Sequence, residues 1–248
     1  MAKNGEIDYL KNLGEEGINH ALNKPFSDTD CGNILIQIGT VIGLLPPAPQ
    51  NLLDLGCGTG WTSCFFAKCG YDVTGIDIAP DMIDCAKKNK ERESLHNVQF
   101  EVLDYEEAAF ENQFDCAVFF DSLHHAVDEK LAIQTVYKAL KPSGICIAVE
   151  PGEHHATQLA SVEAMEKFNV TEKDMPPYRI IALAEEIGFR EFKVLPPPER
   201  INRILFNSLN NGEFMNFGRD ILNWSYAVLG SIINRKKNGI VWMRKPSL

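Results

Sequence analysis

The stretch Leu52-Leu53-Asp54-Leu55-Gly56-Cys57-Gly58-Thr59-Gly60-Trp61 decides the fold. It opens in an apolar run that reads as a strand over Asn51–Leu55, and an amphipathic pattern over Thr59–Cys69 reads as a helix. Three glycines at alternate positions join the two. Glycine is needed where backbone turns sharply or approaches a ligand closely. The helix that follows aims its free N–H groups at that ligand. In an open parallel sheet this first turn lies at the C-terminal edge of the strands, where ligands bind. The spacing excludes two phosphate-binding motifs. A dinucleotide fingerprint, G-x-G-x-x-G, requires glycine at position 61, where this chain has Trp61. A P-loop requires Gly-Lys-Ser/Thr, which does not follow. What remains is G-x-G-x-G with an acid, Asp54, two residues ahead of the first glycine.

Outward from this turn the texture repeats. Val73–Ile78, Val98–Leu103 and Cys116–Phe120 read as strands, and Asp81–Arg92 and Leu131–Leu140 as helices. Lys141-Pro142-Ser143-Gly144 reads as a turn into a strand over Ile145–Val149. Phe119-Phe120 and Ile145–Val149 lack polar alternation, as strands covered on both faces do. Strand–helix alternation of this kind specifies an α/β fold, a Rossmann-like doubly wound parallel sheet. Before it, Ile34, Leu35, Ile38, Val41, Ile42 and Leu45 form one helical stripe that Pro46 and Pro47 stop. After Pro151 the pattern thins to a helix over Tyr178–Ile187, a strand over Phe189–Leu195 and a last strand over Ile240–Met243. The apolar helix Ile221–Ile233 falls in an insertion between these two strands.

The chain has 248 residues, is 45% hydrophobic and 23% charged, and carries 24 Lys+Arg against 34 Asp+Glu, a formal charge of −10. A protein held to nucleic acid by phosphate neutralisation needs a basic face, so a nucleic-acid partner is not expected. Glu6 and Asp8 interrupt the N-terminus where a signal peptide would be apolar, and no run is long enough to span a membrane. The seven cysteines include no CxxC pair and read as reduced thiols, which implies the cytoplasm.

Two more acids fall at strand ends. Asp77 closes the second strand, where a carboxylate accepts hydrogen bonds from both hydroxyls of a ribose. Asp104-Tyr105 follows the third strand, where an adenine edge would lie. With these in place the chain resembles the class I S-adenosylmethionine-dependent methyltransferases over about residues 51–152, through DLGCGTG, GIDIAPDM, VLDYE, FDCAVFFDSLHH and ALKPSG running into ICIAVEPG. The resemblance implies a seven-stranded sheet with its last strand antiparallel, which suits the strands near Phe192 and Val241. It implies S-adenosyl-L-methionine as cofactor and S-adenosyl-L-homocysteine as product. By it, Asp54 and the turn of Gly56, Cys57, Gly58 and Gly60 hold the methionine end. Asp77 holds the ribose, Ile78 and Met82 pack on adenine, Asp104 and Tyr105 meet its edge, and Asp121 lies beside the sulfonium.

The expected organisation is a single methyltransferase domain over 1–248. Residues 1–49 form a helical extension or lid, 50–152 the cofactor core, and 153–248 the substrate side, with an insertion at about 196–239. The expected reaction is methyl transfer to a small-molecule hydroxyl. Four of six histidines form two pairs, His124-His125 and His154-His155, after the fourth and fifth strands, and His125 or His154 is the candidate base. A metal is not expected, because adjacent histidines on one loop rarely face one ion and the carboxylate pattern of catechol-type methyltransferases is absent. The Ile221–Ile233 helix, followed by Arg235, Lys236 and Lys237, suits a cap on the active site, a homodimer contact or a membrane surface. Two rival functions are a cofactor-binding regulator without turnover and a nucleotide-dependent oxidoreductase. The glycine spacing disfavours the second.

Overall fold

The computed structural model describes residues 3–198 and 217–247, and elements are numbered within them. Two helices, α1 (Asn4–Leu22) and α2 (Cys31–Leu44), precede the sheet. There follow β1 (Asn51–Leu55), α3 (Trp61–Lys68), β2 (Asp72–Asp77), α4 (Pro80–Arg92), β3 (Val98–Val102) and β4 (Phe114–Phe120). Then come α5 (Glu129–Ala139), β5 (Leu140–Val149), α6 (Leu159–Phe168), α7 (Pro177–Ile187), β6 (Glu191–Leu195), α8 (Phe217–Asn234) and β7 (Ile240–Arg244). The sheet order is β3-β2-β1-β4-β5-β7-β6. β1 pairs in parallel with β2 and β4, and β7 runs antiparallel to both β5 and β6, as expected.

Side-chain alternation along β1 divides the core. Leu53 and Leu55 face one layer with Phe119, Ile133, Val136 and Ile180, whereas Leu52 faces the other with Phe66, Ile83, Val118 and Ile147. Both layers are predominantly apolar, which explains why the central strands read without polar alternation. The stripe of α2 buries Ile38 and Val41 against the second layer. All seven cysteines are free thiols.

The structure corrects the sequence reading in two places. Lys141–Gly144 is not a turn before β5 but a bulge within it: Leu140 pairs with Phe114, pairing resumes at Cys116 with Ile145, and Ser143 takes φ 65°. The Lys141 ammonium on the Asp115 carboxylate at 2.8 Å holds the bulged strand in the sheet. The stretch between Pro151 and Tyr178, where the sequence shows no clear pattern, contains the helix α6, which packs on α1. Residues 199–216 of the proposed insertion lie outside the described residues. Residues 217–234 of it form α8, with Leu222, Tyr226, Leu229 and Ile233 exposed. No described helix is long and apolar enough to cross a membrane.

Candidate functional site

A cavity of about 670 Å³ opens at the C-terminal edge of β1, β2, β3 and β4, roofed by α1. That volume lies within the roughly 300–1,000 Å³ of small-molecule sites. Its floor is the glycine turn. Gly56, Gly58 and Gly60 all take left-handed φ, at 67°, 54° and 72°. A Cβ on Gly56 would stand 2.6 Å from the Ser122 Cβ, so only glycine allows this turn to lie against the β4 loop. The N–H groups of Gly56 and Cys57 donate to the Ile76 carbonyl at 2.9 and 3.0 Å, tying the turn to β2.

Asp77 forms the next wall. One oxygen accepts from the Gly58 N–H at 2.8 Å and the other from the Ala79 N–H at 2.9 Å. Burial raises its carboxyl above the ordinary range, against these two bonds and the nearby His125. A carboxylate has about four lone-pair sites, so each Asp77 oxygen retains acceptor capacity toward a ligand's hydroxyls. Ile78, Met82, Asp104, Tyr105 and Asp121 also line the cavity. The Tyr105 hydroxyl donates to the Ser122 carbonyl at 3.0 Å, and Asp104 accepts from the Glu106 N–H and from Lys3 of α1. Carboxylates at two strand ends, apolar side chains between them and a glycine cradle fit an amino-acid–nucleoside conjugate.

Asp54 and Gly60 lie elsewhere. Asp54 is buried beneath the turn and accepts from the Thr62 and Ser63 hydroxyls, both at 2.6 Å. Burial lifts its carboxyl to about 6, with the two hydroxyls lowering it and Asp77 raising it. It braces the start of α3 and is not part of the cavity wall. Gly60 is buried against Phe100 and Ala86.

The opposite wall carries the histidines. Leu123–His125 is a single 3₁₀ turn that brings the His124 and His125 rings to 3.9 Å between centroids. Glu150, at the end of β5, clamps this turn. Its carboxylate accepts from the Ser122, Leu123 and His124 N–H groups at 3.1, 2.8 and 3.2 Å and from His124 Nδ1 at 2.8 Å. Burial opposes the charged form of His124, but this bond and the charges of Glu150, Asp121 and Glu172 outweigh it and hold the ring up to about 9. His125 Nδ1 lies 2.7 Å from the Thr171 carbonyl oxygen. Because that oxygen only accepts, Nδ1 carries the proton and Nε2 of the neutral ring keeps its lone pair.

His154 is exposed and does not line the cavity. It takes φ 71° ahead of the 3₁₀ turn His155–Thr157, and its N–H donates to Asp174. Its neighbour His155 is the member of that pair that enters the wall, with Nε2 2.6 Å from Glu172. Glu6 and Glu172 are therefore cavity residues beyond those singled out by pattern. Nothing local in sequence marks Glu6 or Glu172. Ring nitrogens of His124 and His125 and a Glu172 oxygen lie within 4.8 Å of one another, so adjacency does not make these two histidines diverge. His124 bonds Glu150 through Nδ1 and turns Nε2 toward Glu172 at 3.6 Å, and the same Glu172 oxygen accepts from His155.

Comparison with known proteins places this geometry. The ubiquinone biosynthesis O-methyltransferase of Xanthomonas axonopodis pv. citri is 33% identical over 111 residues, 44% of this chain and 46% of that protein. That of Colwellia psychrerythraea is 28% identical over 151 residues, 57% and 61% of the two chains. The chain spans about half the length of the curated relatives it matches. Among solved structures, phosphoethanolamine N-methyltransferase 2 of Haemonchus contortus, in complex with phosphomonomethylethanolamine and S-adenosylhomocysteine, superposes with a TM-score of 0.67 at 21% identity, over 99% of this chain and 61% of that one. The cyclase SpnF does so at 0.56 and 20%, over 88% and 83%. These two likenesses establish the fold. A family model described as a methyltransferase domain matches residues 49–188, more than half of the chain, and by that match the protein belongs to the class I S-adenosylmethionine-dependent methyltransferases.

Proposed function

We propose that the protein transfers a methyl group from S-adenosyl-L-methionine to a hydroxyl oxygen of a small molecule. The observation that carries this reading is a single cavity with the Gly56–Asp77 cradle on one wall and the His125–Glu172 cluster on the other. Asp77 would hold the ribose hydroxyls, Ile78 and Met82 the adenine faces, Asp104 and Tyr105 the adenine edge. Asp121 and the Gly56 turn would lie toward the methionine end, with Asp54 bracing the turn from below. When bound, the cofactor supplies a methyl carbon made electrophilic by a positive sulfur, and the carbon–sulfur electron pair stays on the homocysteine product.

The protein's own work is alignment, exclusion of water and removal of one proton. Alignment of two reactants is worth several kcal/mol of barrier. His125 Nε2 takes the acceptor hydroxyl's proton as the oxygen–carbon bond forms, a step worth about 10²–10⁴-fold. The resulting imidazolium is held between the Thr171 carbonyl and the carboxylates of Glu6, Glu172 and Asp77. The ubiquinone-pathway relatives are named for methyl transfer to oxygen, which favours a hydroxyl acceptor. No metal enters this scheme.

Calorimetric titration with S-adenosylhomocysteine and with NAD tests the cofactor. The first should bind and the second should not, and Asp77→Ala should weaken the first by roughly 1–3 kcal/mol through two lost charged-acceptor hydrogen bonds. Binding of NAD alone would end the proposal. One relative, from Talaromyces variabilis, is named a Diels-Alderase. The activity assay must therefore read labelled methyl in product and not cofactor binding. Total absence of label with a metabolite extract would favour a cofactor-binding role without turnover.

A further inference from the structure

Glu6 is 165 positions from the residue it holds. In the first turn of α1, its Oε1 accepts the Thr171 N–H at 2.7 Å, and the same oxygen lies 3.6 Å from His125 Nδ1. Thr171 is the residue whose carbonyl receives the His125 Nδ1–H. One carboxylate thus holds both the backbone that orients the ring and a negative charge beside it. The carboxylate is largely buried, and burial pushes its carboxyl up against the opposing influence of His125 and the Thr171 bond.

The start of α1 is shaped for this contact. A Cβ on Gly5 would stand 1.9 Å from the Asn169 carbonyl oxygen, so glycine alone lets the helix approach the segment leading to Thr171. Lys3, at the N-cap, pairs with Asp104 and with Glu106, the latter at 3.1 Å, across the adenine side of the cavity. Three residues therefore pin α1 at both ends of the site: Lys3 over the proposed adenine pocket, Gly5 on the α6 segment, Glu6 beside the proposed base.

We propose that Glu6 is a positioning residue for His125, so that the proton acceptor is assembled only when α1 lies closed over the cavity. The inference rests on the reading of His125 as the base and adds a coupling to it: the helix that covers the cofactor also completes the residue that accepts the proton. The charged groups facing the ring are Glu6 from α1, Glu172 from the segment after α6, Asp77 from β2 and His124 beside it. Glu6 and Glu172 arrive on segments outside the sheet, and Glu6 is the one carried by the helix that roofs the cavity.

The test needs no acceptor. With ¹⁵N-imidazole labelling and S-adenosylhomocysteine present, the His125 resonances are assigned by their loss in His125→Asn. The wild-type ring should show the Nδ1–H tautomer. In Glu6→Ala the other tautomer should rise several-fold, and Glu6→Gln, which keeps an acceptor oxygen for Thr171, should restore the wild-type pattern. Lys3→Met, remote from His125 and freeing α1 from Asp104 and Glu106, should move the spectrum in the same direction as Glu6→Ala. A wild-type pattern in both Glu6→Ala and Lys3→Met overturns the inference. A separate arm follows labelled methyl transfer to the acceptor that wild-type protein methylates in a metabolite extract. Transfer that survives His125→Asn removes the base assignment itself, whatever the Glu6 spectra show.

Discussion

His124 is buried with its Nδ1–H on Glu150, and the pair clamps the loop that carries His125. Its folded pKa, about 9, stands above the ordinary imidazole value of about 6.5. Stability from this pair is fully present below pH of about 6.5 and is lost as pH rises through about 9. At about 1.4 kcal/mol per unit of displacement, that is a few kcal/mol. Urea unfolding from pH 6 to 10 should therefore show a fall in stability across that window. In His124→Asn the fall should vanish, with a lower value throughout because Glu150 loses its partner. At this scale much of the cavity lining was legible in sequence: Asp77, Ile78, Met82, Asp104, Tyr105 and Asp121 all line one cavity, because each lies at or within a few residues of a strand end whose position the sheet dictates. His154 was not, because a left-handed residue ahead of its turn sends His155 inward instead.

At the scale of elements, the glycine turn and α1 do different work. Gly60 at φ 72° has Phe100 and Ala86 side chains 2.6 and 2.8 Å from where a Cβ would sit. Gly60→Ala should cost about 1–2 kcal/mol for the left-handed backbone and about 1–3 kcal/mol for overpacking. A thermal melt should show a drop of several degrees, and an unchanged midpoint would mean the turn relaxes freely. The apolar periodicity that revealed α2, α4 and α5 lies within each segment. The helix α6 escaped because its sequence, LASVEAMEKF, buries only Ser161 and presents little apolar stripe. The β5 bulge escaped because Lys-Pro-Ser-Gly has turn composition whether it ends a strand or distorts one.

For the whole molecule, the site is a place where distant segments meet, so ligand and fold are linked. S-adenosylhomocysteine at one hundred times its dissociation constant should stabilise the protein by about 2.7 kcal/mol and raise the melting midpoint. Hydrogen exchange should slow most in α1, since that helix roofs the cavity and has few other contacts with the sheet. Equal slowing in every element would mean that α1 is not the mobile part.

The alternation of strands and helices and the glycine turn follow from patterns a few residues long: apolar runs, glycines at alternate positions, acids at strand ends. Such patterns act through local backbone geometry and solvent exclusion, so they survive in the linear chain. The histidine-bearing wall does not. Glu6, His125, Glu150, His155 and Glu172 come from α1, the β4 loop, the end of β5 and the segments flanking α6, and their pairing depends on how those connections travel in space. Hydrogen bonds across 46 and 165 positions are chosen by chain path and packing, for which the order of residues in sequence carries no period.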